Sequence, residues 1–153
     1  MTSLEPGQLW LMRIHALIAA IVIAVPTAVA EAAFLSDIGL PRGLVAGPIL
    51  LLILYMLLIS PGKQYRAWGY AMDAEELRIR HGVWIETETV VPLGRVQHID
   101  VSQGPIERPL GVCRLIVHTA GTQHSRVTLP GLSRADAERM RDEIRARIRQ
   151  EPE

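Results

Sequence analysis

Between positions 91 and 111 the chain reads VPLGRVQHIDVSQGPIERPLG, which gathers Arg95, Gln97, His98, Asp100, Glu107 and Arg108 into one short stretch. An imidazole two residues from a carboxylate is raw material for general acid–base work, and nearby guanidiniums could orient a substrate. On an extended strand His98 and Asp100 share a face, about 6.6 Å apart along the chain. Hydrolysis or group transfer also needs a nucleophile and a place that excludes water. No Ser in a Gly-x-Ser-x-Gly elbow accompanies the pair, and strand alternation puts it on an exposed face. The residues therefore argue against an enzyme. A polar sheet face that touches a partner is the expectation, with an unrecognised hydrolase as the remote alternative.

Metal and phosphate chemistry fare no better. His81, His98, His118 and His124 follow one another at intervals of 17, 20 and 6 residues, beside a single cysteine. No short ligand pair of the kind zinc sites use is present, so no metal or other cofactor is expected. GPIERPLG sets its glycines seven apart around two prolines, unlike a run of free amides leading to a lysine. Gly104, Pro105 and Gly111 read as the turn residues of a tight connection between strands. Its tip would expose Glu107 or Arg108, a secondary docking element. Cys113 lies among strand-like residues, where a small buried hydrophobe is the expected role. One thiol permits no internal disulfide, in keeping with a reducing compartment.

Short strands must carry this stretch. Tyr65–Met72 opens the series, Leu77 and Ile79 alternate with Arg78 and Arg80, and His81-Gly82 turns the chain. In VWIETETVV, positions 83, 85, 87, 89 and 91 share one face, with Glu86 and Glu88 on the other. VQHIDVSQ points Ile99 and Val101 inward, while VCRLIVHT and SRVTLPGL complete six or seven strands. Ser133 and Asp136 then fit a helix-opening capping box, stapled by Leu132 and Ala137. Ala137, Met140, Ile144 and Ile148 draw one apolar stripe along the helix that follows. Arg145, Arg147 and Arg149 suit its negative end. A helix laid over a curved antiparallel sheet buries both apolar faces.

The first sixty residues differ in kind. Ile14–Ala30 has no formal charge, and Ala32–Leu35 continues its apolar character; Leu44–Ile59 has none either. A helix crosses roughly 30 Å of hydrocarbon with about 20 residues, or as few as about 17, so both are near spanning length. The chain divides into a leading segment at 1–13, spans at 14–35 and 44–60, an external loop at 36–43, a head at 61–150 and a frayed tail at 151–153. Lys and Arg number one before the first span (Arg13), one between the spans (Arg42) and two after them (Lys63, Arg66). That bias turns both termini and the head towards the cytoplasm. Ala16, Ala20 and Ala24 recur every four positions and permit close helix contact.

Residues 61–153 hold fourteen of the 16 Lys and Arg and thirteen of the 16 Asp and Glu. Near-neutrality excludes a general nucleic-acid binder. From Tyr65 onward, VPLGRVQHIDVSQGPIERPLG, LIVHTAG (115–121) and VTLPGLSRADAERMRDEI (127–144) resemble the YdbS-like family of bacterial membrane proteins, and two spans ahead of the domain match as well. The resemblance implies a pleckstrin-homology-like (PH-like) fold, a small curved barrel capped by one helix, with neither an enzyme activity nor an established ligand. It also implies a partner: a larger membrane protein with several related domains. A scaffold or subunit in the bilayer is the resulting expectation. The alternative is weak attraction of Lys63, Arg66, Arg78 and Arg80 to anionic lipid, offset by Glu86 and Glu88.

Overall fold

The structure, a computed structural model, describes residues 1–35, 43–120 and 126–148. Most of the expected external loop, His124 and Arg149 lie outside the described residues. The chain forms two compact units, Met12–Lys63 and a second built from Met1–Leu11 together with Gln64–Glu153.

The first unit is helical. It takes helix α1 (Pro6–Ala30) from Met12 onward, a wider turn at Glu31–Leu35 and then α2 (Ala46–Leu58). The helical stretches Pro6–Ala33 and Ala46–Ala67 are 28 and 22 residues long, and an 18-residue run within each has a mean hydropathy of 2.1 and 1.7. A core helix of a water-soluble domain would hide such side chains. Here Val22, Val29, Leu50, Leu51 and Leu58 are all more than 60% exposed, which suits hydrocarbon and not water. Pro26 sits inside α1, and the neighbouring Thr27 hydroxyl donates to the Ile23 carbonyl at 2.8 Å. The Glu31 carboxylate caps the start of the next helix, accepting the N–H of Gly43 and, at 3.1 Å, that of Ala46. An acid there satisfies donors that the first turn of α2 leaves without partners and opposes the positive end of its dipole.

Helix α3 (Ser60–Ala67) leads into the second unit. The sequence expectation of a strand from Tyr65 fails at this point. Ile59 N–H bonds Tyr55 and Lys63 N–H bonds Ile59, so helical bonding carries across Pro61, which has no N–H to give. Strands β1 (Gly69–Met72), β2 (Glu76–His81) and β3 (Thr87–Pro92) form one antiparallel sheet in sequence order. A single 3-10 turn, Leu93–Arg95, leads to the second sheet of β4 (Val96–Ser102), β5 (Val112–Thr119) and β6 (Arg126–Ser133). Helix α4 (Arg134–Ile148) closes the fold. The two three-stranded sheets and this helix make a curved PH-like arrangement.

Alternation explains the core. Leu77 and Ile79 of β2, Val91 of β3, Ile99 of β4 and Leu115 and Val117 of β5 are buried between Arg78, Arg80 and His98 on the outer faces. Ala137, Met140 and Ile144 join them from α4, as their spacing predicts. The Ser133 hydroxyl accepts the Asp136 N–H at 3.1 Å and donates to its carboxylate at 2.7 Å.

Where the sequence separates residues 1–13 as a leading segment, the fold packs Met1–Leu11 into the head. Thr2 bridges Tyr70 of β1, and Glu5 N–H bonds the Gly131 carbonyl of β6 at 2.8 Å. One short segment thus occupies the outer edge of each sheet. Leu4 is 2% exposed within the core cluster, and its carbonyl accepts the Tyr65 hydroxyl at 2.6 Å. A Cβ on Gly7 would fall 2.3 Å from the Leu110 carbonyl oxygen, so only glycine allows this approach.

Candidate functional site

The structure separates the charged stretch into three places. Arg95 closes the 3-10 turn and is exposed, its carbonyl accepting the Ala120 N–H. Gln97 and His98 are exposed on β4, with Asp100 half-buried beside them. The Asp100 carboxylate lies 2.8 Å from His98 Nε2 and 3.4 Å from Nε2 of His118. His118 reaches it because β5 pairs it with His98, and the two rings stand 5.8 Å apart. No spacing along the chain reveals that third member; only the strand register does. The three side chains are 64%, 47% and 36% exposed, so water competes at each of them. Acid–base catalysis is poorly served by such a face. Among the described residues, no group of three or more His, Cys, Asp or Glu could hold a metal ion.

The connection at 104–111 inverts the expected arrangement. Glu107 does not stand at an exposed tip. It is 5% exposed and accepts the Gly104 N–H at 2.5 Å. Arg114 of β5 completes the cage, its Nη2 at 2.6 Å and Nε at 3.0 Å from one carboxylate oxygen. Backbone bonds from Arg108 to Gly104 and from Val112 to Glu107 wind the turn around that acid. A buried carboxylate needs such a set, because an unpaired one would cost several kcal/mol. Arg108 stays exposed, with Pro105 and Gly111. Arg114, absent from the candidate residues of the sequence, is the partner that lets Glu107 go inside.

Cys113 is 1% exposed. Its thiol lies 3.5 Å from the Leu132 carbonyl, and burial pushes its pKa up, with Glu107 adding to the rise. A thiol held protonated is a poor nucleophile.

The basic residues are divided as well. Lys63 lies over the Tyr55 ring at 5.8 Å, and Arg66 is exposed on α3. Arg78 and Arg80 share the outer face of β2, yet Arg78 is tied to Glu76 and Arg80 to Glu86 at 3.1 Å. Those acids blunt the field that an anionic headgroup would meet.

A cleft of about 270 Å³ opens between β4 and α4, lined by Asp100 and Gln103 on one side and Arg134, Glu138, Arg141 and Arg145 on the other. β4 pairs only with β5, and no backbone bond joins its other edge among the described residues.

The β2–β3 hairpin also departs from expectation. β3 begins only at Thr87, and Val83–Ile85 form a bend at its tip. Trp84 and Ile85 are 86% and 82% exposed. Thr89 and Val91 do face inward as the alternation requires, but the pattern stops carrying information where the pairing stops.

Two apolar helices of spanning length and a head of two curved sheets under one helix define a membrane protein with a PH-like domain. The chain belongs to the Bacterial PH domain family, whose model matches residues 9–148. It is 36% identical over 86 residues to the UPF0699 transmembrane protein YdbS of Bacillus subtilis (strain 168), covering 56% of this chain and 52% of that one. To the UPF0699 transmembrane protein YdbT of the same organism it is 24% identical over 100 residues, 64% of this chain and 20% of that one. The matched chain thus spans about half the length of the first relative and a fifth of the second. No solved structure matches the chain at a significant level.

Proposed function

We propose that this chain is a non-enzymatic membrane module whose head joins a larger membrane protein assembly, with both ends of its helical hairpin on the cytoplasmic side. The observation that carries the scaffold reading is the open edge of β4 beside the cleft against α4. The edges of β1 and β6 are occupied by Thr2 and Glu5, whereas β4 offers free backbone donors and acceptors. An extended segment from a partner adds to such an edge by main-chain bonds. Arg134 and Arg141 beside the cleft are paired with Glu138 and Asp142 at 2.9 Å, so main-chain bonding, and not charge, would select that segment. Similarity to YdbT, in which the matched stretch is only 20% of the length, supports a larger related protein as that partner.

Support for two crossings comes from connectivity. Met1–Leu11 and Gln64–Glu153 belong to one compact unit, so the helices between them leave one body and return to it. That requires an even number of crossings. The side then follows from the Lys and Arg bias. Attraction to anionic lipid ranks below this reading, because Arg78 and Arg80 are already paired.

A photo-cross-linking residue placed at Asp100 or Arg141 of the full chain tests the proposal in cells, followed by mild-detergent purification. A discrete cross-linked partner at these positions, absent when the probe sits at Glu88 on the other sheet, is the expected result. Consistent recovery of an uncross-linked monomer would reject the scaffold role. Reporter fusions after residue 153 and within 36–42 check the orientation, and an external carboxyl terminus would reverse it.

A further inference from the structure

Val83, Trp84 and Ile85 are 40%, 86% and 82% exposed at the tip of the β2–β3 hairpin. Met1, Trp10 and Val90 of the head are exposed too, at 62%, 57% and 46%, but three large apolar side chains in a row at one tip call for a partner phase. The tip is a formed turn. Gly82 has φ +118°, and a Cβ there would fall 1.9 Å from the Ile85 carbonyl oxygen. The chain therefore doubles back tightly behind the three side chains and holds them outward.

Placement in the sheet indicates which phase. β1 begins two residues after α3, the continuation of the second apolar helix. Gly69 at its start pairs with Arg80, and Trp68 stacks on His81 at 4.8 Å. The tip thus projects from the end of the sheet where the chain arrives from that helix. Three side chains fall well short of the roughly 1,200 Å² that a stable protein interface buries. They suit the boundary between headgroups and acyl chains, where tryptophan rings concentrate. The nearest charges, Arg80 and Glu86, neutralise each other at 3.1 Å, and Glu88 adds a further acid. Anionic headgroups are not what the tip would seek.

We propose that Val83, Trp84 and Ile85 insert into the interfacial layer of the bilayer that anchors the chain, pinning the first sheet to the lipid by apolar contact. The proposal rests on membrane anchoring and is independent of the scaffold surface on β4.

The test reconstitutes the full chain in phosphatidylcholine vesicles brominated high on the acyl chains. Trp84 emission is isolated by subtracting the Trp84→Phe variant, in which Trp10 and Trp68 remain. Most of the Trp84 emission should be lost to the bromines, equally in high salt and with or without anionic lipid. Emission unaffected by the bromines and open to aqueous iodide would overturn the proposal. Shielding from iodide that grows with the protein-to-lipid ratio, without bromine quenching, would assign the tip to a second copy and overturn it too. Flotation of both variants separates the two layers of inference: failure to float removes the anchoring reading, and with it this one.

Discussion

Two connections in the head, 82–86 and 104–111, treat water in opposite ways. The second is full of Gly, Pro and charge, yet it takes Glu107 inside and wraps it with Gly104 and Arg114. The first looks like the middle of a strand, yet it leaves Trp84 and Ile85 in the open. Residue type alone would assign function to the charged loop and packing to the apolar one. The geometry reverses both. A charge that has found all its partners is architecture, while an apolar side chain that has found none is a surface waiting to be covered.

The comparison can be broken most forcefully at Glu107. Glu107→Ala strands the Arg114 guanidinium and the Gly104 N–H, and should cost about 2–3 kcal/mol. This lies below the fullest penalty for a broken buried pair, because Arg114 is partly exposed and can rehydrate. Urea unfolding of the full chain in detergent micelles measures it, and an unchanged midpoint would show the cage to be incidental. Gly82→Ala should destabilise the head by about 1–2 kcal/mol, since alanine tolerates neither the positive φ nor the nearby carbonyl. A neutral result in the same assay would mean that the tip has no fixed shape. Trp84→Ser should move the stability of the head by less than about 0.5 kcal/mol, since no contact inside the fold is lost and the amphiphile that receives the ring is open to it in the unfolded chain as well. A larger loss would mean that Trp84 packs inside the head after all.

Much of the fold was legible in the residues. The apolar runs announced the helices, the alternation in β2 and β4 identified which side chains go inward, and Ser133 with Asp136 marked where α4 begins. What stayed hidden depended on contacts between distant positions. Leu4 meets Tyr65 across 61 residues, and no local periodicity encodes that bond. Val83 and Ile85 continue the alternation of β3 although the ladder ends at Thr87, because period two describes any extended backbone, paired or free. Glu107 reads as a surface acid until β5 brings Arg114 beside it. His118 joins His98 and Asp100 for the same reason, through a register that the sequence does not spell out. Pro61 and Gly62 look like a break, yet the helix passes through them.

The segment that docks on both sheets ties the order of synthesis to the completion of the head. Thr2, Leu4 and Glu5 are made before the helical hairpin, while β1 and β6, which receive them, are made after it. Early residues must therefore wait for late ones, and the sixty-odd positions in between have to bring the two back together. On the proposed topology, a chain in which only one of the two helices crossed would leave Leu4 without its pocket and two strand edges bare, so a finished head certifies that the helices crossed as a pair, whichever side they started from.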